Sequence, residues 1–206
     1  MKIFICIVSA YLIGALNPAA LISKLKHKSL RDKGTGNLGA TNTMLVFGKK
    51  YGVIVMLLDI SKGFFVVKLT SLFVPEIEWL AMAAGFAVVV GHCFPLYLKF
   101  KGGKGLAAFA GLVLAYDSLL FLFLLISCVI LMLIINHTYI LSFYATAFFS
   151  IYTVIREDSL LIILLAVSVS IFVIAKHFSN FVKALKGQDS KIRDYIKTKM
   201  FNKNNV

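Results

Sequence analysis

Two stretches of this sequence carry residues whose types and spacing suit the binding of phosphate. One is Gly34-Thr35-Gly36-Asn37-Leu38-Gly39-Ala40-Thr41-Asn42; the other is Lys99-Phe100-Lys101-Gly102-Gly103-Lys104-Gly105. Glycines bare backbone N–H groups, a lysine adds charge, and a helix beginning just beyond adds its positive end, so such a loop can hold an anion without any nucleotide fold. The bland alternative is that the glycines only make turns and the lysines only mark the cytoplasmic side of a membrane. It leaves unexplained both the density of Gly, Thr and Asn in the first stretch and the clustering of lysines around glycines in the second.

Two literal motif matches fail on context. Gly34 to Gly39 reads as G-x-G-x-x-G, with Asp59 following at about the distance of a ribose-binding acid. A dinucleotide fold needs a strand before those glycines, whereas a lysine-rich loop precedes them and Asp59 lies inside an apolar run. Around Lys104, Gly105 stands where a Walker loop requires Ser or Thr, and Leu98 stands where it requires its first glycine. The histidines His27, His92, His137 and His177 are far apart and none pairs with a carboxylate at ligand spacing, so no metal and no cofactor is expected. Asp59 and Lys62 are expensive in an apolar run; three residues apart, they share a helix face and can pair, which points to an ion pair locking helices more than to catalysis. His92 closes the next apolar run, where core hydrogen bonding and a role in the site are both open.

The elements that must position these loops follow from composition and from where the charges fall. Of 206 residues, 60% are hydrophobic and 15% charged, against about 25% charged in an ordinary soluble domain. Prolines and glycines are sparse, so the chain reads as one unit over residues 1–206, with disorder confined at most to its last stretch. Cys6, Cys93 and Cys128 stand singly, which excludes a disulfide framework and paired-cysteine zinc sites. A net charge of +13 would suggest nucleic acid in a soluble protein. Here the basic residues bracket apolar runs, so no nucleic acid partner is expected.

Residues 3–22 carry no charge and are long enough to cross a bilayer as one helix. Lys24, Lys26, Lys28, Arg31, Lys33, Lys49 and Lys50 follow, a cluster expected to stay cytoplasmic, which puts the N-terminus outside and argues against cleavage. Residues 51–74 and 79–98 read as further spans joined by an acidic turn. Lys99, Lys101 and Lys104 mark a second cytoplasmic loop, and a third basic region starts at Lys176. Between 106 and 175, polar breaks at Asp117-Ser118, at 136–139 and at 156–158 cut four short apolar pieces. The expected fold is therefore all-α, a polytopic bundle of about seven transmembrane helices, with five also satisfying the parity and the C-terminus cytoplasmic. Its cytoplasmic loops lie at about 23–50, 99–105 and 176–190, and the basic tail 191–206 either lies on anionic lipid or stays solvated.

The first stretch, then Gly91-His92-Cys93-Phe94-Pro95 running into the second, then Lys176-His177 with Asn180 and Gly187, resemble the three signature motifs of the bacterial acyl-phosphate:glycerol-3-phosphate acyltransferases. The resemblance covers nearly the whole chain, including Asp59 to Gly63. It implies an enzyme of the inner membrane that moves a fatty acyl group from acyl phosphate to the 1-hydroxyl of glycerol 3-phosphate, giving lysophosphatidic acid and phosphate. By resemblance, Thr35, Gly36 and Asn37 contact substrate from the first loop. Lys104, with the Gly102 and Gly103 amides, binds phosphate or oxyanion, and His177 with Asn180 serves glycerol 3-phosphate. Lys101, His92 and Ser142 complete the expected substrate-binding set, with Lys104, His177 and Asn180 the expected catalytic residues. Departures from the pattern are Thr35 for the usual Ser, and Leu45 and Phe178 where the family has Arg, each removing a phosphate-binding guanidinium that Lys49 or Lys50 is placed to offset. Lys183 and Asp189 are conservative replacements.

That reaction suits the residues. Acyl phosphate is an activated mixed anhydride, so orienting two phosphates and stabilising developing charge suffices, and neither a Ser-His-Asp triad nor a thiol nucleophile is evident. The hydroxyl proton goes to His177 or to a substrate phosphate. The competing readings are a small transporter or channel for an anionic metabolite, lined by Asp59 and Lys62, and a noncatalytic membrane subunit, which leaves the loops without a purpose.

Overall fold

The computed structural model describes residues 1–135 and 138–186, and among them every regular element is helical. In chain order these are α1 (Lys2–Ala15), α2 (Pro18–Leu25), α3 (Ala40–Phe47), α4 (Lys49–Phe73), α5 (Glu78–Cys93), a 3-10 turn (Leu96–Leu98), α6 (Leu106–Tyr116), α7 (Ser118–Ile135), α8 (Thr138–Arg156) and α9 (Leu160–Leu185). The stretches Lys2–Leu25, Glu78–Leu98, Tyr139–Arg156 and Leu160–Leu185 are long and apolar enough to cross a membrane. Phe65, Leu72, Phe73, Leu119 and Ile155 are mostly exposed on the outside of the bundle. An apolar surface of that kind fits lipid, not water. His137 and the tail from Gly187 on, including Asp189, lie outside the described residues.

Of the breaks expected within 106–175, those at Asp117-Ser118 and at 156–158 fall where the polar residues stand, while the one at 136–139 falls partly on Asn136 and His137, outside the described residues. At the first, the Asp117 carboxylate accepts the Leu119 and Leu120 N–H groups, both at 2.9 Å, and opens α7. Its other oxygen accepts the Tyr152 hydroxyl at 2.5 Å, which holds the carboxyl below its ordinary range. The uninterrupted first span, however, is corrected. The chain breaks between α1 and α2, because Pro18 cannot donate to the helix ladder and Asn17 caps a new helix, its Oδ1 accepting the Ala20 N–H at 2.8 Å. A second correction is α3, a two-turn helix within the segment read as loop.

Small residues set how closely the helices approach, as in lipid, where no hydrophobic force drives helices together. A methyl group on Gly14 of α1 would overlap the Val88 backbone of α5, and one on Gly91 of α5 would overlap the Tyr11 carbonyl of α1. The same exchange joins α4 and α6, with Gly63 against the Ala108 carbonyl and Gly111 against the Ile60 carbonyl. Phe109 and Phe149, rings 5.3 Å apart and perpendicular, fill the core beside Val88, Leu112 and Val169.

The two ends of the bundle differ. At one, Lys2 pairs with Glu76 at 2.9 Å, near the acidic Glu78, Asp117 and Glu157. At the other lie the loops carrying Arg31, Lys99, Lys101 and Lys104. Gly111→Val should force α4 and α6 apart and lower the melting temperature in detergent by about 5 °C or more. Leu72→Ala, on the exposed surface, should leave it unchanged. Equal melting of both variants would mean that these glycines do not set the packing.

Candidate active site

The first loop is shaped by its glycines and by one buried amide. Gly34 and Gly36 have φ of 60° and 71°, a left-handed backbone that side chains disfavour. Asn42, 1% exposed, accepts the Thr35 N–H through Oδ1 at 2.7 Å and donates from Nδ2 to the Leu30 carbonyl at 2.8 Å. The Thr35 side chain is thereby left on the surface. Its hydroxyl lies 3.4 Å from the Asn37 N–H, beyond an ordinary hydrogen bond. Gly36 and Asn37 beside it are half-buried.

The second loop folds back on the end of α5. The Gly102 N–H donates to the Cys93 carbonyl at 3.0 Å and the Gly103 N–H to the His92 carbonyl at 3.1 Å. A helix end leaves such carbonyls without partners, and this loop satisfies them. The two amides expected to cradle phosphate are therefore engaged with carbonyls. The glycines serve close approach instead, because a methyl group on Gly102 would overlap the His92 carbonyl and one on Gly103 would overlap the His92 ring. His92 lies buried beneath the loop, with Nδ1 turned toward Lys62 at 2.9 Å and Asp59 at 3.2 Å. The Asp59–Lys62 pair expected from their spacing is present at 2.8 Å.

Lys104 leaves this loop toward α9, where its ammonium donates to Asn180 Oδ1 and reaches Ser179 Oγ at 3.4 Å. One turn earlier on the same helix, His177 Nδ1 lies 3.0 Å from the Val173 carbonyl. A carbonyl only accepts, so Nδ1 carries the proton and Nε2 is left as the basic nitrogen of the neutral ring. Lys176 covers the Phe94 ring at 4.2 Å. The Arg31 guanidinium donates to the Lys101 carbonyl at 2.6 Å, fastening the first loop to the second, while the Lys101 side chain stays exposed. Loop one, loop two and the end of α9 thus meet at one end of the bundle.

Ser142 is fully buried in α8, its hydroxyl donating to the Tyr139 carbonyl at 2.7 Å. The rings on either side of it, Tyr139 and Phe143, lie 5.4 and 5.9 Å from that of Phe181, the residue after Asn180 on α9. Of the positions where Arg is missing, Leu45 is half-buried on α3 and Phe178 is exposed, its ring 5.8 Å from that of Phe181. Three residues outside the expected site set hold the loops in place. Asn42 organises the first loop, Arg31 counts in the sequence only as charge, and Asn17 bridges segments, donating from Nδ2 to the Leu38 carbonyl at 3.2 Å and from its N–H to the Tyr97 hydroxyl at 2.9 Å. The Asn-Pro pair was the readable signal for Asn17.

The sequence model of the family described as glycerol-3-phosphate acyltransferase matches residues 4–187. A glycerol-3-phosphate acyltransferase of Lactiplantibacillus plantarum is 36% identical over 194 residues, covering 92% of this chain and 92% of its own. One of Staphylococcus aureus is 35% identical over 208 residues, covering 94% and 99%. The crystal structure of PlsY (YgiH), an integral membrane glycerol 3-phosphate acyltransferase, in its glycerol 3-phosphate form superposes with a TM-score of 0.88 at 30% identity, covering 93% of this chain and 96% of that one. The lysophosphatidic acid form gives 0.85 at 29% identity, covering 93% and 95%. With the match running through both loops, α9 and the membrane helices alike, this chain belongs to the glycerol-3-phosphate acyltransferase family and is an integral membrane acyltransferase.

Proposed function

We propose that the chain transfers an acyl group from a fatty acyl phosphate to the 1-hydroxyl of glycerol 3-phosphate, giving lysophosphatidic acid and phosphate. The observation that carries this reading is the meeting of two Gly-Lys loops with the end of α9 through Arg31–Lys101 and Lys104–Asn180. One substrate is a small soluble phosphate ester and the other a phosphate on a fatty chain, so the site needs basic charge beside an opening to lipid. Leu96, Tyr97 and Phe100, all more than half exposed, stand next to Lys99 and Lys101 and supply that border.

In the reaction the C1 hydroxyl oxygen bonds to the acyl carbon, the bond from that carbon to the bridging phosphate oxygen breaks, and phosphate leaves. Thr35, Gly36 and Asn37 of the first loop and Lys101 of the second hold the phosphorylated reactants. Lys104 neutralises charge developing on the carbonyl and leaving-group oxygens, and Asn180 aims its ammonium. His177 takes the hydroxyl proton on Nε2, the nitrogen left basic by the bond from Nδ1 to Val173. Much of the rate comes from holding two reactants in attack geometry.

The enzyme sits in the bacterial inner membrane as a single unit of seven crossings, made by α1 with α2 and then α4 through α9, with the N-terminus outside. The α4 helix crosses despite its charges because Asp59 and Lys62 are paired inside the bundle. An odd number of crossings puts both loops and the end of α9 on the cytoplasmic face, which the excess of lysine there supports.

Two variants test the assignment in detergent with palmitoyl phosphate and glycerol 3-phosphate. Lys104→Ala should lose at least about 100-fold in kcat while keeping the wild-type melting temperature, and a wild-type rate would contradict its role. His177→Gln should lose about 100-fold or more, whereas an unchanged kcat would assign the proton to a substrate phosphate.

A further inference from the structure

Lys62 makes more contacts than a locking ion pair requires. Its ammonium lies 2.8 Å from Asp59 Oδ1 and 2.9 Å from His92 Nδ1, and it donates to the carbonyls of Gly14 and Leu16, both at 2.9 Å. Asp59 and His92 are buried within the bundle and the Lys62 side chain is only 8% exposed. A charged cluster so placed is expensive, and a role limited to packing would be served at less cost by apolar side chains.

The contacts of this cluster run to the two loops. On one side, the Lys62 ammonium draws together the last carbonyls of α1 at the α1–α2 break. The next residue, Asn17, reaches the Leu38 carbonyl of the first loop and the Tyr97 hydroxyl, which in turn donates to the Ala15 carbonyl at 2.9 Å. On the other side, Lys62 and Asp59 hold the His92 ring, against which Gly103 is pressed, and the His92 carbonyl holds the Gly103 amide. Lys104 is the next residue. One buried cation is therefore braced against the supports of both loops, which lie far apart in sequence.

We propose that Asp59 and Lys62 are positioning residues for the acyl transfer, acting through His92 and Gly103 on Lys104 and through the α1–α2 break on the first loop. Neither touches a reacting atom. The inference rests on the function proposed above, so it calls for one kinetic measurement and one that does not depend on turnover.

The test variant is the double substitution Asp59→Asn with Lys62→Met, which removes both charges together and so strands neither in the bundle. His92→Asn is the second variant; it keeps a polar group where Nδ1 stood and removes the part of the ring beneath Gly103. Both are purified alongside the wild type and compared for KM, kcat and backbone hydrogen exchange. The expected result is a KM for glycerol 3-phosphate raised about 10-fold or more together with a lower kcat. Unfolded molecules lower apparent kcat and leave KM unmoved, so the rise in KM separates positioning from simple loss of fold. Exchange should quicken about 10-fold at the Gly102 and Gly103 amides while the middle of α4 and of α5 stays protected. An unchanged KM with unaltered exchange in the loops would overturn the proposal. Wild type that turns nothing over would defeat the proposed reaction alone, and the exchange comparison would still decide the positioning role.

Discussion

The contact between the Lys104 ammonium and Asn180 is the interaction on which the rest of the site depends. It joins a loop that opens α6 to the last turns of α9, bringing together residues separated by more than a third of the chain. Without it the basic groups at this end of the bundle would be separate lysines, and nothing would hold the Lys104 ammonium against the part of α9 that carries His177. Arg31 performs the same service between the first and second loops, at 2.6 Å from the Lys101 carbonyl. The site is thus assembled by hydrogen bonds from charged donors, which are stronger than neutral ones and directional.

Those bonds form only because the helices beneath them are held at a fixed spacing. Glycines in α1, α5, α4 and α6 let main chains touch where side chains would hold them apart. Lipid offers no hydrophobic drive to close such gaps, so contact area and buried polar bonds set the geometry. The break at Asn17 belongs to the same design. It interrupts a span, yet the carbonyls it frees are taken up by Lys62 and Tyr97, as the backbone in an apolar medium demands.

Much of this was legible in the order of residues, because charge and hydrophobicity are strong signals in a membrane chain. The all-helical class, the breaks after Tyr116 and at 156–158, and the pairing of Asp59 with Lys62 all follow from where polar side chains interrupt apolar runs. The division of roles among the glycines was not legible. A glycine that bares an amide to a ligand and one that lets a loop press on a helix end look alike until the partner is known, and Gly102, against the His92 carbonyl, and Gly103, against the His92 ring, are of the second kind. The uninterrupted first span failed for a related reason: hydropathy weighs side chains, while the cap at Asn17 and the missing donor at Pro18 act on the backbone. Arg31 could not be told from its basic neighbours, since only the fold decides which cation meets a carbonyl.

The central claim is that the first loop, the second loop and the end of α9 share one face of the membrane and one pocket. Single cysteines at Asn37, Lys101 and Ser179, and at Glu76 as the far-side reference, in a chain whose native cysteines have been replaced, report this directly through an impermeant maleimide added to sealed vesicles of known orientation. The account predicts that the first three react from the same side, that Glu76→Cys reacts only from the other, and that glycerol 3-phosphate protects Asn37→Cys. Labelling of any one of the three loop positions from the Glu76 side would contradict it, since no shared pocket could then form.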